Sequence, residues 1–484
     1  MKNIATNDLT YNSVQFGRMT DQQCQKIHWA SLELLESMGV KLHDQQSLEI
    51  LKKGGALVEG NLVFLPSGMV EKAFTTAPKR VVLYNRYGEA VMPLEGRRCF
   101  YGPGSDTLNI IDHRSGKRRK PVLNDEREGM ILCDALPNID FVMSIFLPSD
   151  VDQVIADTYQ MEVMLNHTIK PILAVTYDLP GLMDAVEMAE IVIGGEEALR
   201  RRPILTCYIN VVSGLNHNAE ALQKLLFLSG KGLPSMYIPS TTAGTNSPMT
   251  QVGAVALDNA GVLLGLVLSQ LNREGAPYIM PGMPPAPMDM RTMNSPYAYP
   301  VRGIFQSMAR MYQLPAFGLG GVTDAKLVDQ QATAEATLTL LAETLVGGNI
   351  IHDVGYLESG LGYSFELLAI CDDIIGWIGA FLKGIEVSDE TLALDIIKKA
   401  GHEGSYLATD HTRMHFKDEW YPQLFERDNY PTWESKGSKT LVQRARERVD
   451  KILLEHRPEP LPEEVQKGLR EVVQRRVDLQ KATG

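Results

Sequence analysis

Eight short apolar runs recur along this chain, each followed by a loop rich in Gly, Pro or Asn and then by a helical stretch. They are "CFYGPG" (99–104), "IDFVMSIF" (139–146), "PILAVTY" (171–177), "PILTCYIN" (203–210), "PSMYIP" (234–239), "PYIMPG" (277–282), "PAFGLG" (315–320) and "NIIHDV" (349–354). An uninterrupted apolar run that alternates with helices signals a parallel strand buried on both faces. Eight such units at spacings of roughly 30 to 40 residues predict an α/β fold closed into a TIM (β/α)8 barrel rather than an open sheet. The first run is the weakest, because "TLNIIDHRSGKRRKPV" beside it reads as two strands around "RSGK". "GIEVS" (384–388) is the alternative eighth strand.

The barrel is expected over residues 97–384. Residues 1–96 read as an α+β addition, opened by a helix capped at Thr20 and stopped at Gly39. Residues 385–484 read as a helical extension. Its amphipathic helices "SKTLVQRARERVDKILLEH" and "LPEEVQKGLREVVQRRVDLQ" are expected to pack on the outside of the barrel.

Charge narrows the function. With a net charge of -12, the chain lacks the basic balance of a nucleic-acid binder. The start "MKNIATNDLTYNSV" has no apolar core, so no signal peptide is expected. The most apolar run, "VGAVALDNAGVLLGLVL" (252–268), holds Asp258 and Asn259 and reads as a buried helix rather than a membrane span. Five scattered cysteines without metal or redox spacing predict a reduced, cytoplasmic protein.

In a barrel of this kind chemistry sits where strands end. "GLGGVTDAK" (318–326) lacks G-x-G-x-x-G and is no phosphate loop. Its glycines let the strand turn, and Thr323 or Asp324 either caps the next helix or lies on the pocket rim. That helix carries Leu338, Leu341 and Leu345 as its expected inward stripe. The loop "MPPAPMDMRTMNSPYAYP" (283–300) holds Asp289, Arg291, Tyr297 and Tyr299. Aromatic faces attract a quaternary ammonium, and Arg pairs with a carboxylate. The alternative is a proline-stiffened lid whose tyrosines pack for bulk. His352 ends a strand and either points at the site or bonds a backbone carbonyl. Position puts Tyr297, Tyr299, Asp324, His352, Tyr356 and Glu358 around the predicted pocket. "HTRMH" sets His411 and His415 on one helical face, with His402 nearby. It has no intervening Glu and no Cys close by, so a packed or surface helix is expected rather than zinc. "RSGKRRK" (114–120) reads as a solvated hairpin tip or a dock for an acidic partner.

Several long stretches, in order, resemble the trimethylamine methyltransferase family of corrinoid-dependent enzymes. They are "TTAGTNSPMTQVGAVALDNAGVLLGLVLSQLNREGAPYI", "MDMRT", "GLGGVTDAKLVDQQATAEATLTLLAETLVGGNIIHDVGYLESGL" and "DEWYPQLFERDNYPTWESKGSKTLVQRA". The similarity runs from "ALPNIDFV" to "HRPEPL". The resemblance implies a TIM barrel and transfer of a methyl group from a methylated amine to the Co(I) corrinoid of a separate small protein. It implies no tightly bound metal or corrinoid on this chain, and self-association is left open. Archaeal trimethylamine members carry pyrrolysine in or beside the stretch matching Gly320 to Val322, which here holds ordinary residues. Relatives without pyrrolysine act on quaternary amines such as glycine betaine, proline betaine, carnitine or butyrobetaine.

On that reading Arg291 or Arg302 clamps a substrate carboxylate, and Tyr297, Tyr299 and Tyr356 cage the ammonium. Asp324, His352 and Glu358 are the candidate catalytic or charge-supplying groups. Gly261, Asp353 and the pair Val301–Arg302 depart from the family pattern, where Glu, His and an acidic residue are common. Two alternatives stay open. One is another enzyme, such as a lyase, on the same barrel. The other is a non-catalytic subunit that binds betaine or docks the corrinoid protein.

Overall fold

A computed structural model describes residues 4–6, 14, 16–283 and 285–483, the side chain of residue 483 excepted. Most of the segment read for a leader, and Pro284 of the long loop, lie outside the described residues.

The parallel strands Ile172–Val175, Leu205–Val211, Ser235–Pro239, Tyr278–Pro281, Ala316–Leu319 and Ile350–His352 pair in chain order, and the last pairs with Arg98–Tyr101. Residues 139–146 close the ring. The Asp140 amide donates to Tyr101 O at 2.6 Å, and the Leu173 amide donates to Val142 O at 2.9 Å. The sequence-predicted strands are thus the staves of one closed (β/α)8 barrel. Residues 384–388 form no strand, and Ile385 and Val387 there are exposed.

Side chains alternate along every stave because successive Cβ atoms point to opposite faces. Phe100, Phe141, Met143, Leu173, Met236, Ile238, Ile279, Phe317 and Ile350 fill the barrel interior. Tyr101, Val142, Ala174, Cys207, Tyr237, Tyr278 and Ile351 face the helices. Both faces are dry, so each strand reads as unbroken apolar sequence. The hairpin of Val81–Tyr84 and Ala90–Leu94 inserts Val81, Leu83, Met92 and Leu94 into the interior cluster. Its Tyr84 and Arg86 amides donate to Pro203 O and Ile169 O, at the entries of two staves. The hairpin therefore plugs the N-terminal end of the barrel.

Helix Asp21–Ser37 begins in a capping box at Thr20 and lies on the long helix Gln251–Asn272, where Ser31 Oγ donates to Ala256 O at 2.9 Å. Gln251–Asn272 is the one helix among the described residues long and apolar enough to cross a membrane, and its most apolar window is 83% buried in this fold. Gly261 within it leaves no room for the glutamate expected by resemblance, since a Cβ there would lie 2.6 Å from Gly214 O. Helix Leu441–Glu455 docks on Phe365–Leu382 through Arg446 to Glu366 and Arg448 to Asp372. Helix Glu463–Thr483 docks on Leu179–Ile193 through Arg475 and Arg476 to Asp184.

Two local expectations are corrected. Helix Gln330–Val346 is capped by Asp329, whose carboxylate accepts from the Ala332 amide at 3.1 Å, not by Thr323 or Asp324. Its inward face is Ala332, Ala336, Thr339, Leu340 and Glu343, while Leu338 is 60% exposed. Small residues let this helix sit close against its strand: a Cβ on Gly318 would meet the Glu343 carboxylate at 1.9 Å.

Candidate active site at the C-terminal mouth

Strand Ile350–His352 ends in a sharp turn. Asp353 takes the left-handed conformation at φ 73°, which short polar side chains tolerate. This swings its carboxyl across the barrel mouth, where it is buried. His352 Nδ1 lies 2.7 Å from Gly318 O. A carbonyl only accepts, so Nδ1 carries the proton and Nε2 is a bare acceptor. Nε2 faces Asp353 Oδ1 at 3.3 Å. Burial lowers the His352 pKa to about 3 and raises that of Asp353 to about 8. At neutral pH both are uncharged.

Three tyrosines surround this acid. Tyr208, on strand Leu205–Val211, lies with its ring 6.3 Å from that of His352 and 5.4 Å from Phe317. Tyr297, from the long loop, lies 6.2 Å from Tyr356, centroid to centroid. All three hydroxyls are pushed to higher pKa, first by burial; the next cause is Asp353 for Tyr297 and Tyr356, and Tyr297 followed by Asp353 for Tyr208. Tyr208 and Tyr297 keep half-buried faces toward the mouth, while Tyr356 is buried and donates to Ser105 O. The cluster needs Gly104, because a Cβ there would fall 2.1 Å from Asp353 Oδ1 and 2.3 Å from Tyr356 Cζ.

The other predicted residues brace this arrangement or stand apart from it. Asp324 accepts from the Tyr297 amide at 2.8 Å, from the Ala298 amide at 3.4 Å and from Ser359 Oγ at 2.7 Å. It brackets the long loop onto the turn after His352. Arg302 is buried and donates to Leu319 O and Tyr297 O, both at 2.7 Å, with Glu343 4.0 Å away. Glu358 receives both arms of Arg118, at 2.8 and 3.0 Å, from the hairpin of Asn109–Ile111 and Arg118–Arg119. This places the sequence-predicted basic tip on the rim. Arg291 is 88% exposed and pairs with its neighbour Asp289 at 2.7 Å. Tyr299 is half-buried in the same loop.

The structure thus brings His352, Tyr297 and Tyr356 together and adds two residues that the sequence reading did not select. Tyr208 sat inside an apolar run and read as core. Asp353 stood out only as a departure from a family pattern.

The chain matches the family model described as trimethylamine methyltransferase over residues 2–480. It belongs to the trimethylamine methyltransferase family. It is 32% identical to trimethylamine methyltransferase MttB of Desulfitobacterium hafniense (strain DSM 10664 / DCB-2), across 95% of this chain and 94% of that one. It is 29% identical to a glycine betaine methyltransferase of Desulfitobacterium hafniense (strain Y51), across 96% of this chain and 97% of that one. Among solved structures, the hydroxylamine complex of MtmB superposes with a TM-score of 0.47 at 11% identity, across 91% of this chain and 96% of that one. The chain is a methyltransferase, and the tyrosine cage at the barrel mouth is its candidate active site.

Proposed function

We propose that this family member demethylates a small quaternary amine and delivers the methyl group to the corrinoid of a partner protein. The observation that carries the reading is the buried Asp353 ringed by Tyr208, Tyr297 and Tyr356 at the open end of the barrel. Aromatic faces and one acid form a cage for a cation that has no N–H to donate. An ammonium beside Asp353 favours the carboxylate, so binding expels the proton of Asp353 to solvent.

The acceptor, brought by its own protein, supplies the nucleophile. This chain's task is to hold one N-methyl carbon in line with it. A quaternary nitrogen departs as a neutral tertiary amine and needs no proton donor, which fits a His352 kept uncharged. Once the charge is gone, the amine loses its attraction to the Asp353 carboxylate and is free to leave. Ordinary residues at Gly320 to Val322 agree with a quaternary rather than a tertiary amine substrate.

Asp324 and Glu358 serve as positioning residues: one holds the loop that carries Tyr297, the other holds the rim hairpin. If the substrate is a betaine, Arg291 is the proposed clamp, because its bond to Asp289 is a surface pair of little worth. Arg302 has both arms on backbone carbonyls. Tyr299 extends the cage toward the rim.

The test is methyl transfer to free cob(I)alamin from a panel of glycine betaine, proline betaine, carnitine, butyrobetaine and tetramethylammonium, with trimethylamine as contrast. Methylcobalamin from one or more quaternary amines is the expected result. Turnover of trimethylamine alone, or of nothing in the panel, would sink the proposal.

A further inference from the structure

The segment between the last barrel helix and the C-terminal pair has no core of its own. Its helices Asp389–Leu392, Leu394–Ala400 and Asp410–His415 contain no buried residue. Leu407 is 85% exposed, and Ile385 and Val387 nearby are 83% and 74% exposed. Hydrophobic burial does not hold these short helices together, and helices of this length do not persist alone in water. Small units that lack a core are commonly stapled by a metal.

Side chains able to do so converge here. His411 and His415 lie one turn apart, with ring centroids 4.4 Å from each other. Glu390 reaches them from helix Asp389–Leu392, and one donor atom from each of the three lies within 4.8 Å of the others. His415 Nδ1 bonds the Asp418 carboxylate at 2.7 Å, which fixes the ring and aims Nε2 at Glu390 Oε1, 2.6 Å away. A carboxylate behind a histidine that presents its other nitrogen is the usual support of a metal ligand. His411 Nε2 is shut off from solvent and has no hydrogen-bond partner.

We propose that Glu390, His411 and His415 form a binding site for a zinc-class divalent cation that pins helix Asp389–Leu392 to helix Asp410–His415. Two imidazoles and one carboxylate suit zinc and its neighbours rather than magnesium or calcium, which prefer oxygen. Tetrahedral bonds of about 2.1 Å put donors roughly 3.4 Å apart, so donors now up to 4.8 Å apart need to close while His415 Nε2 and Glu390 Oε1, now 2.6 Å apart, need to open, which side chains on short exposed helices can do. A purely ionic reading, with His415 as an imidazolium between Asp418 and Glu390, gives His411 Nε2 nothing to do. The cation gives it a bond. "HTRMH" lacks its own glutamate, and the fold brings one from a different helix. Helix Phe365–Leu382 runs back from the mouth, so the segment that follows it starts at the closed end of the barrel. The site is therefore structural and separate from methyl transfer.

The test uses the full chain without a histidine tag, stripped with EDTA and dialysed. Zinc chloride is titrated calorimetrically, with magnesium and calcium chloride in parallel. One saturable zinc per chain is expected, with no binding of magnesium or calcium. The variant H411A/H415A should lose the site. Asp418→Asn should weaken it about 10- to 100-fold. Zinc should also slow tryptic cleavage at Lys398, Lys399 and Arg413 in the wild type but not in H411A/H415A. Methyl transfer should be equal in wild type and variant, which keeps this outcome separate from that of the proposed function. The proposal is overturned if zinc does not saturate, if H411A/H415A binds it as the wild type does, or if magnesium binds equally well.

Discussion

Asp353 is the residue from which most of the site's chemistry follows. Burial raises its pKa to about 8, and on the proposed function a bound cation would need it ionised. The sign is fixed by that requirement. Below pH 8 each cation bound must release a proton, so affinity should fall roughly tenfold per pH unit. Above pH 8 it should level off. Calorimetry in buffers of different ionisation enthalpy should detect the released proton, and Asp353→Asn should abolish both the release and the pH slope. Losing the charge partner should cost on the order of 2 to 5 kcal/mol of binding. Tyr297→Ala should cost less, about 0.5 to 2 kcal/mol. Arg291→Ala should weaken a betaine and leave tetramethylammonium unchanged. Equal loss for both ligands would remove Arg291 from the clamp. His352, held near pKa 3, contributes nothing to the binding slope above pH 5.

At the scale of elements, the strands, the buried helix and the rim hairpin were legible because each depends on local pattern. Pro-X-apolar runs such as "PILAVTY" need no distant partner to be read as strands. The cage was half legible. His352 and Tyr356 follow a strand and could be placed by rule. Tyr208 was not, since nothing local marks which inward residue of Leu205–Val211 stands at the open layer rather than in the core. The pairing of Arg118 with Glu358 joins positions 240 residues apart, which no spacing argument reaches. The glycines of the first stave show how element geometry serves the site. Gly104→Ala should disturb Asp353 and Tyr356 together without altering a charge. The expected result is a large loss of methyl transfer, with a stability loss of about 1 to 3 kcal/mol by chemical denaturation. Retained activity would mean that the turn has slack the structure does not suggest.

For the whole molecule, one barrel carries additions at both ends of the chain, and its five cysteines are all buried and unpaired. A thiol reagent such as DTNB should find none of them in the native protein and all of them in denaturant. Fast labelling of any one under native conditions would mean that its region opens locally.

The hairpin that inserts Leu83 and Met92 into the barrel floor closes that end of the interior and leaves the mouth at the opposite end. On the proposed function, an acceptor protein that carries a corrinoid would have to stand at that open end to reach the cage. Traffic then has an order. On that proposal the amine would enter first, the acceptor would arrive second, and the spent amine would wait until the acceptor steps away. Excess acceptor should therefore slow turnover at low amine concentration by seating itself on empty enzyme, and raising the amine should relieve the block.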